Sequence, residues 1–159
     1  MALVTTTSFS ILLNGAPSRT FTPSRGLKQG DLLSPFLFVL MMEGLGRVIK
    51  MANAKGRIQG MKLTLDGAAN THQQFVDDTM LQGIPTIREA RTIKNILNDF
   101  AMASGTEVSL NKSKVFFFNT NIAIQRNITR ILGFQREHLP SKYLGIPLTD
   151  KPLSKKVWE

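Results

Sequence analysis

Three stretches with helical spacing, set among short strand-like runs, constrain this chain more than any other feature. Ser34-Pro35 reads as N-cap and first helical residue, because proline gives up an amide that has no partner there anyway. The helix it opens runs to about Ala54, and Gly56 is placed to end it. Its first half, Phe36 to Met42, is apolar all round, which predicts burial on most sides with Met41 and Met42 as core filler. Leu45, Val48, Ile49 and Ala52 continue one face. Thr86-x-x-Glu89 forms a capping box ahead of Ile87, Ala90, Ile93, Leu97 and Phe100, and Gly105 stops that second helix. Asn121 to Leu132, followed by Gly133, makes a third and shorter one.

The runs between them read as strands. Ser8 to Leu13, the turn Asn14-Gly15-Ala16-Pro17 and Arg19 to Thr22 form a hairpin. Pro23 to Gly30 is a loop. Arg57 to Leu65 is a strand closed by Asp66-Gly67. His72 to Val76 and Thr79 to Leu81 are two short strands with Asp77-Asp78 between them. Val115 to Phe118 reads as a buried apolar strand, and Phe116 to Phe118 only secondarily as a platform on which bases stack. Lys142 to Leu148 is the last strand. The order lacks a βαβα rhythm, so the class is α+β, an antiparallel sheet with helices packed on one face. At 159 residues, with no repeat or linker, the chain makes one domain.

Composition removes several functions. There is no cysteine, which excludes disulfides, thiol catalysis and zinc-thiolate sites. The longest apolar run stops at Glu43, far short of the roughly 18 residues of a membrane span, so no membrane partner is expected. His72 and His138 lack metal-ligand spacing, and no G-x-S-x-G elbow or aligned triad is present. Twenty Lys and Arg face 11 Asp and Glu, a net charge of +9, and no acid precedes Asp31. Such a balance suits a phosphate backbone, whose counterions are released on binding. The Ser- and Thr-rich, acid-free start also has transit-peptide composition, which makes a mitochondrial location a secondary reading.

Two motifs carry chemistry. In Phe75-Val76-Asp77-Asp78, adjacent carboxylates on a tight turn repel each other and suit a hard divalent cation such as Mg²⁺. In Arg25-Gly26-Leu27-Lys28-Gln29-Gly30-Asp31, glycines and cations ahead of a helix allow close approach to a phosphate or base. Each alone is ordinary turn or loop chemistry. In this order, they resemble the reverse transcriptases of LINE-type (non-LTR) retrotransposons common in plants. Gly26 to Asp31 with Ser34 to Phe38 resembles the block before the long palm helix of that family. Phe75 to Asp78 resembles its aromatic-x-Asp-Asp turn. Ser104-Gly105 with Leu110 to Lys114 resembles the next block, and Leu139 to Leu148 the primer-grip hairpin.

The resemblance implies a partial polymerase palm over residues 1–159, from the glycine loop through the primer grip. It implies two-metal nucleotidyl transfer with Mg²⁺, or Mn²⁺, on an RNA template, a DNA primer and dNTPs, with the metals roughly 4 Å apart. Asp77 and Asp78 are then the catalytic metal ligands. Gln29 and Gly30 line the pocket for the nucleotide and templating base, Phe75 sits near the primer end, and Lys112 helps pyrophosphate leave. Tyr143, Leu144 and Gly145 support the primer. Leu32 stands where the family usually has proline, and Val76 where alanine is commoner. The fingers and the earlier strand with a third metal-binding acid are missing, and Met1 reads as an internal methionine of a longer frame. The isolated chain is therefore expected to be inactive unless a complementing chain supplies that strand. A nuclear location follows from the resemblance. The alternatives are a non-catalytic basic nucleic-acid-binding module and a non-functional retroelement relic.

Overall fold

The computed structural model describes residues 8–24, 26–62, 67 and 69–149. Arg25 of the glycine loop, the strand end Leu63 to Leu65 with Asp66, and the terminal Lys151, Lys155 and Lys156 lie outside the described residues.

Asn14 and Gly15 both take positive φ, 51° and 85°, the pattern of a two-residue hairpin turn. They join β1 (Leu12–Leu13) to β2 (Ala16–Pro17), with Leu13 opposite Ala16. The arms are shorter than the sequence suggests. Pro17 has no amide to donate, and the Ser18 hydroxyl accepts from the Ile11 amide in place of a ladder bond. Ser18 N still donates to Ile11 O at 2.7 Å, and beyond it comes an isolated Phe9–Phe21 bridge, whose rings stack 6.0 Å apart.

Helix α1 spans Ser34–Ala54. Leu33, not Ser34, occupies the N-cap and supplies no side-chain bond, while the Ser34 hydroxyl donates to Asp31 Oδ2 at 3.2 Å. Lys55 caps the far end, and Gly56 follows at φ 63°. The expected burial of Phe36 to Met42 is corrected. Phe36 is 74% exposed, Val39 66% and Leu40 70%, while Met41 and Met42 are half-buried. Burial belongs to the second half, where Leu45, Ile49 and Ala52 line one face.

The strand expected from Arg57 shrinks to β3 (Met61–Lys62), paired with β4 (Ala69–Asn70). The residues before it are engaged elsewhere. Arg57 N and Ile58 N donate to Ala52 O, Asn53 Nδ2 donates to Ile58 O, and Gln59 N donates to Glu89. Gly60, at φ 70°, lies so close to β4 that a Cβ would sit 2.7 Å from Asn70 O. Next come β5 (His72–Phe75) and β6 (Asp78–Leu81), so Asp78 is a strand residue and the turn is Val76-Asp77.

Helix α2 spans Ile87–Ser104 and closes on Gly105 in the left-handed conformation. Only half of its capping box forms. Thr86 Oγ1 accepts from Glu89 N, but Thr86 N donates to Ile84 O. The buried Glu89 carboxylate instead accepts from Gln59 N at 2.9 Å and Ile84 N at 3.0 Å, and so ties α2 to the segments before β3 and after β6. Burial pushes its pKa up against those two bonds.

Helix α3 (Ile122–Leu132) has Asn121 as N-cap and left-handed Gly133 at its end, as its sequence predicts. Lys94 Nζ reaches across from α2 to the Leu132 carbonyl at 2.9 Å, which satisfies an acceptor at the helix end. The expected strand Val115 to Phe118 is reduced to β7 (Lys114–Val115), which pairs in parallel with β8 (Gln135–Arg136). Phe116 and Phe117 are half-buried, and Phe118 is 54% exposed. The last strand is a hairpin of β9 (Ser141–Tyr143) and β10 (Ile146–Leu148).

The fold is α+β, with four small antiparallel sheets, one parallel strand pair and three helices among the described residues. Its strands pair two by two. Leu45, Ile49, Ala52, Ile58 and Leu97 form one core cluster, and Ala90, Ile128 and Leu132 another. Ile93 and Phe134 pack against both, so α2 is the shared wall between α1 and α3.

Candidate functional site

Four residue pairs hold β5 and β6 in register, from His72–Leu81 at the base to Phe75–Asp78 at the tip. Helix α1 supports this hairpin at close range. Gln74 Nε2 donates to the Met42 carbonyl at 3.2 Å. At Gly46 an added Cβ would lie 3.0 Å from His72 Nε2 and 3.2 Å from Gln74 Oε1. The sequence reading overlooked Gly46. Its signal was a glycine inside a helical pattern, which costs about 1 kcal/mol against alanine unless a close approach requires it.

The tip holds the carboxylates. Val76 has φ 52°, a conformation that a β-branched residue adopts only under strain. Asp77 and Asp78 are exposed, and neither carboxylate has a hydrogen-bond or ion-pair partner among the described residues. Phe75 is 60% exposed and sits opposite Asp78. The β9–β10 hairpin lies near enough for electrostatic coupling. Burial, with a smaller contribution from the Asp78 charge, raises the pKa of Tyr143. The Tyr143 hydroxyl is shielded from solvent and has no partner among the described residues. Leu144 and Gly145 form the turn at φ 50° and 81°.

The remaining predicted site residues lie in two other loops of the chain. Gln29 and Gly30 lie in an exposed loop, where Gly30 takes φ 86° with open space around it. Lys112 is exposed in the turn before β7, its amide bonded to Ser109 O.

Two carboxylates with free oxygens have the chemistry a hard cation takes. Among the described residues, no group of three acids or histidines could hold a metal. The described residues thus offer part of a donor set and do not fit a complete two-metal centre. None of the described helices is long and apolar enough to cross a membrane.

Comparison with known proteins supports the same assignment. A family model described as reverse transcriptase (RNA-dependent DNA polymerase) matches residues 2–148. The chain is also 44% identical, over 68 residues, to an uncharacterized mitochondrial protein of Arabidopsis thaliana. That match covers 43% of this chain and 56% of the relative's length. Enzymes of this family use Mg²⁺ with a nucleic-acid template, a primer and dNTPs. With the family match running from residue 2 through the β9–β10 hairpin, the chain belongs to the reverse transcriptase (RNA-dependent DNA polymerase) family.

Proposed function

We propose that residues 1–159 form part of the palm of a LINE-type, non-LTR retrotransposon reverse transcriptase of plant type. The observation that supports this best is the β5–β6 tip, with two exposed, unpartnered aspartates on a strained turn. The Tyr143 hairpin beside it adds to that reading. In the parent enzyme Asp77 and Asp78 hold the metal from this turn. Phe75 sits by the primer end, and Tyr143, Leu144 and Gly145 support the primer strand. Gln29 and Gly30 face the nucleotide and templating base, and Lys112 assists pyrophosphate release. When bound, Mg²⁺ or Mn²⁺ supplies two-metal nucleotidyl transfer.

The chain by itself is inactive in this reading, because two carboxylates from one turn do not fix two metals and a triphosphate. A complementing segment or chain supplies the third acid. The mitochondrial name of the plant relative favours that compartment over the nucleus. Primer extension on a primed RNA template with Mg²⁺ tests the proposal. The pure chain is expected to bind the primed template with steep salt dependence and to extend nothing. Extension that Asp77→Asn abolishes would overturn the inactivity, and failure to bind any template would overturn the polymerase-fragment reading.

A further inference from the structure

We propose that the recess beside α3 and β8 holds a phosphate group, with Arg136 as its main donor. The inference rests on the reading that this chain handles nucleic acid. It concerns Arg136 and His138, to which the polymerase assignment gives no role. The recess, of about 180 Å³, is lined by Phe117, Gln125, Arg136, Glu137, His138 and Leu139. It has room for about six waters at roughly 30 Å³ each, and falls short of the roughly 300 Å³ at which pockets for drug-sized ligands begin. A phosphate with part of its sugar matches that size.

The wall is almost wholly polar. Phe117 gives it little surface, because that side chain packs against the Ala90–Ile128–Leu132 cluster. An apolar ligand therefore gains nothing there. Among the lining groups, donors outnumber free acceptors. Arg136 brings five N–H donors and no acceptor, and a histidine ring brings at least one donor. The Arg136 side chain has no hydrogen-bond or ion-pair partner among the described residues. Gln125 Nε2 donates to the Thr120 carbonyl at 2.7 Å, and its Oε1 is closed to solvent, so it is not an acceptor for the recess. Glu137 is already engaged, since its carboxylate accepts from Lys114 Nζ and from the His138 amide. A phosphodiester only accepts, and so complements that balance.

The charges favour an anion. Lys114, on β7, neutralises Glu137, which leaves the Arg136 cation in surplus. The backbone that carries it is held in place. Arg136 stands opposite Val115 in the parallel pair, and Glu137 N donates to Val115 O at 3.0 Å. Fixed walls lower the ordering cost of binding. Arg136 is exposed, so a ligand reaches it without opening the fold. Its planar fork matches two phosphate oxygens at once.

Anisotropy of a fluorescein-labelled single strand of abasic sites tests this with the full chain, because that strand offers phosphate and sugar and no base. Arg136→Gln should weaken its binding about fivefold and lower the salt slope by about 0.7. Arg136→Lys keeps the charge and loses the fork. It should restore the slope and still bind more weakly than the unmodified protein. Unlabelled dATP, added as competitor without metal, separates two sources of phosphate. Given the Arg136→Gln loss, displacement that depends on Arg136 assigns the recess to a free nucleotide, and no displacement assigns it to the backbone of a strand. A folded Arg136→Gln protein with unchanged affinity and slope would overturn the phosphate site while the polymerase-fragment reading stands. So would an Arg136→Lys protein that binds like the unmodified one, since Arg136 would then act as one charge in a diffuse field. Absence of binding to every strand would overturn both readings, and the unmodified protein alone shows it.

Discussion

The two halves of α1 share one helix and similar apolar content but differ in fate. From Leu45 to Ala52 the helix faces Ile58, Leu97 and the half-buried Leu81, Ile93 and Ile96. From Phe36 to Leu40 it carries side chains as large, and three of them are more than 65% exposed. An apolar run states that burial is favourable, at roughly 25 cal/mol per Å². It does not supply the surface that buries it. Helix α2 and the β5–β6 hairpin provide that surface for the second half, while Phe36, Val39 and Leu40 of the first half are left largely exposed.

The largest test of this contrast is a pair of truncations. Ile49→Ala, at a site 1% exposed, should cost about 2–5 kcal/mol in chemical unfolding. Phe36→Ala should stay within about 0.5 kcal/mol despite the larger side chain removed. Comparable losses at the two sites would show that the first half of α1 is covered in solution. A second contrast sets α2, capped by Thr86, against α1, whose N-cap Leu33 makes no side-chain bond. Thr86→Ala should cost about 1 kcal/mol. Leu33→Ser should not destabilise the chain, and circular dichroism on heating reads both.

The base of the β5–β6 hairpin gives a pH-dependent test. Burial, then the nearby Lys50 cation, lowers the His72 pKa from the ordinary 6.5, against a smaller opposing effect of Glu43. The unfolded chain therefore takes up the proton first as pH falls. The His72 contribution is fully present above 6.5 and is lost as pH drops from there through the lower folded value. Urea unfolding across that window should show the decline, and His72→Gln should flatten it. The smallest effect is spectroscopic. Tyr143 is the only tyrosine, so ultraviolet titration reads it alone. Asp78→Asn should lower its midpoint and leave it above the ordinary value, because burial remains. An unchanged midpoint would separate the β9–β10 hairpin from the aspartate turn.

Local grammar carried much of the fold. Asn14-Gly15, Thr86 with Gly105, and Asn121 with Gly133 mark their turn and helix ends in the sequence, and the structure places them there. The strands were legible in position and not in length. Arg57 to Gln59 engages α1 and Glu89 in place of a neighbouring strand, and Phe116 to Phe118 continues past a parallel pair only two residues long. The aspartate turn was legible because its residues are contiguous. The Gly46 approach to His72 and Gln74 and the Glu89 clamp were not, because each joins residues distant in the chain.

By itself the sequence determined the helix caps, the tight turns, the cationic balance and the family blocks. These depend on backbone conformation, charge and residue type within a few positions. Tertiary structure alone decided which half of α1 is buried, which partners Glu89 serves and how near Tyr143 lies to Asp78. Burial and electrostatic coupling are properties of surfaces brought together in space, and neighbours in the chain do not specify them.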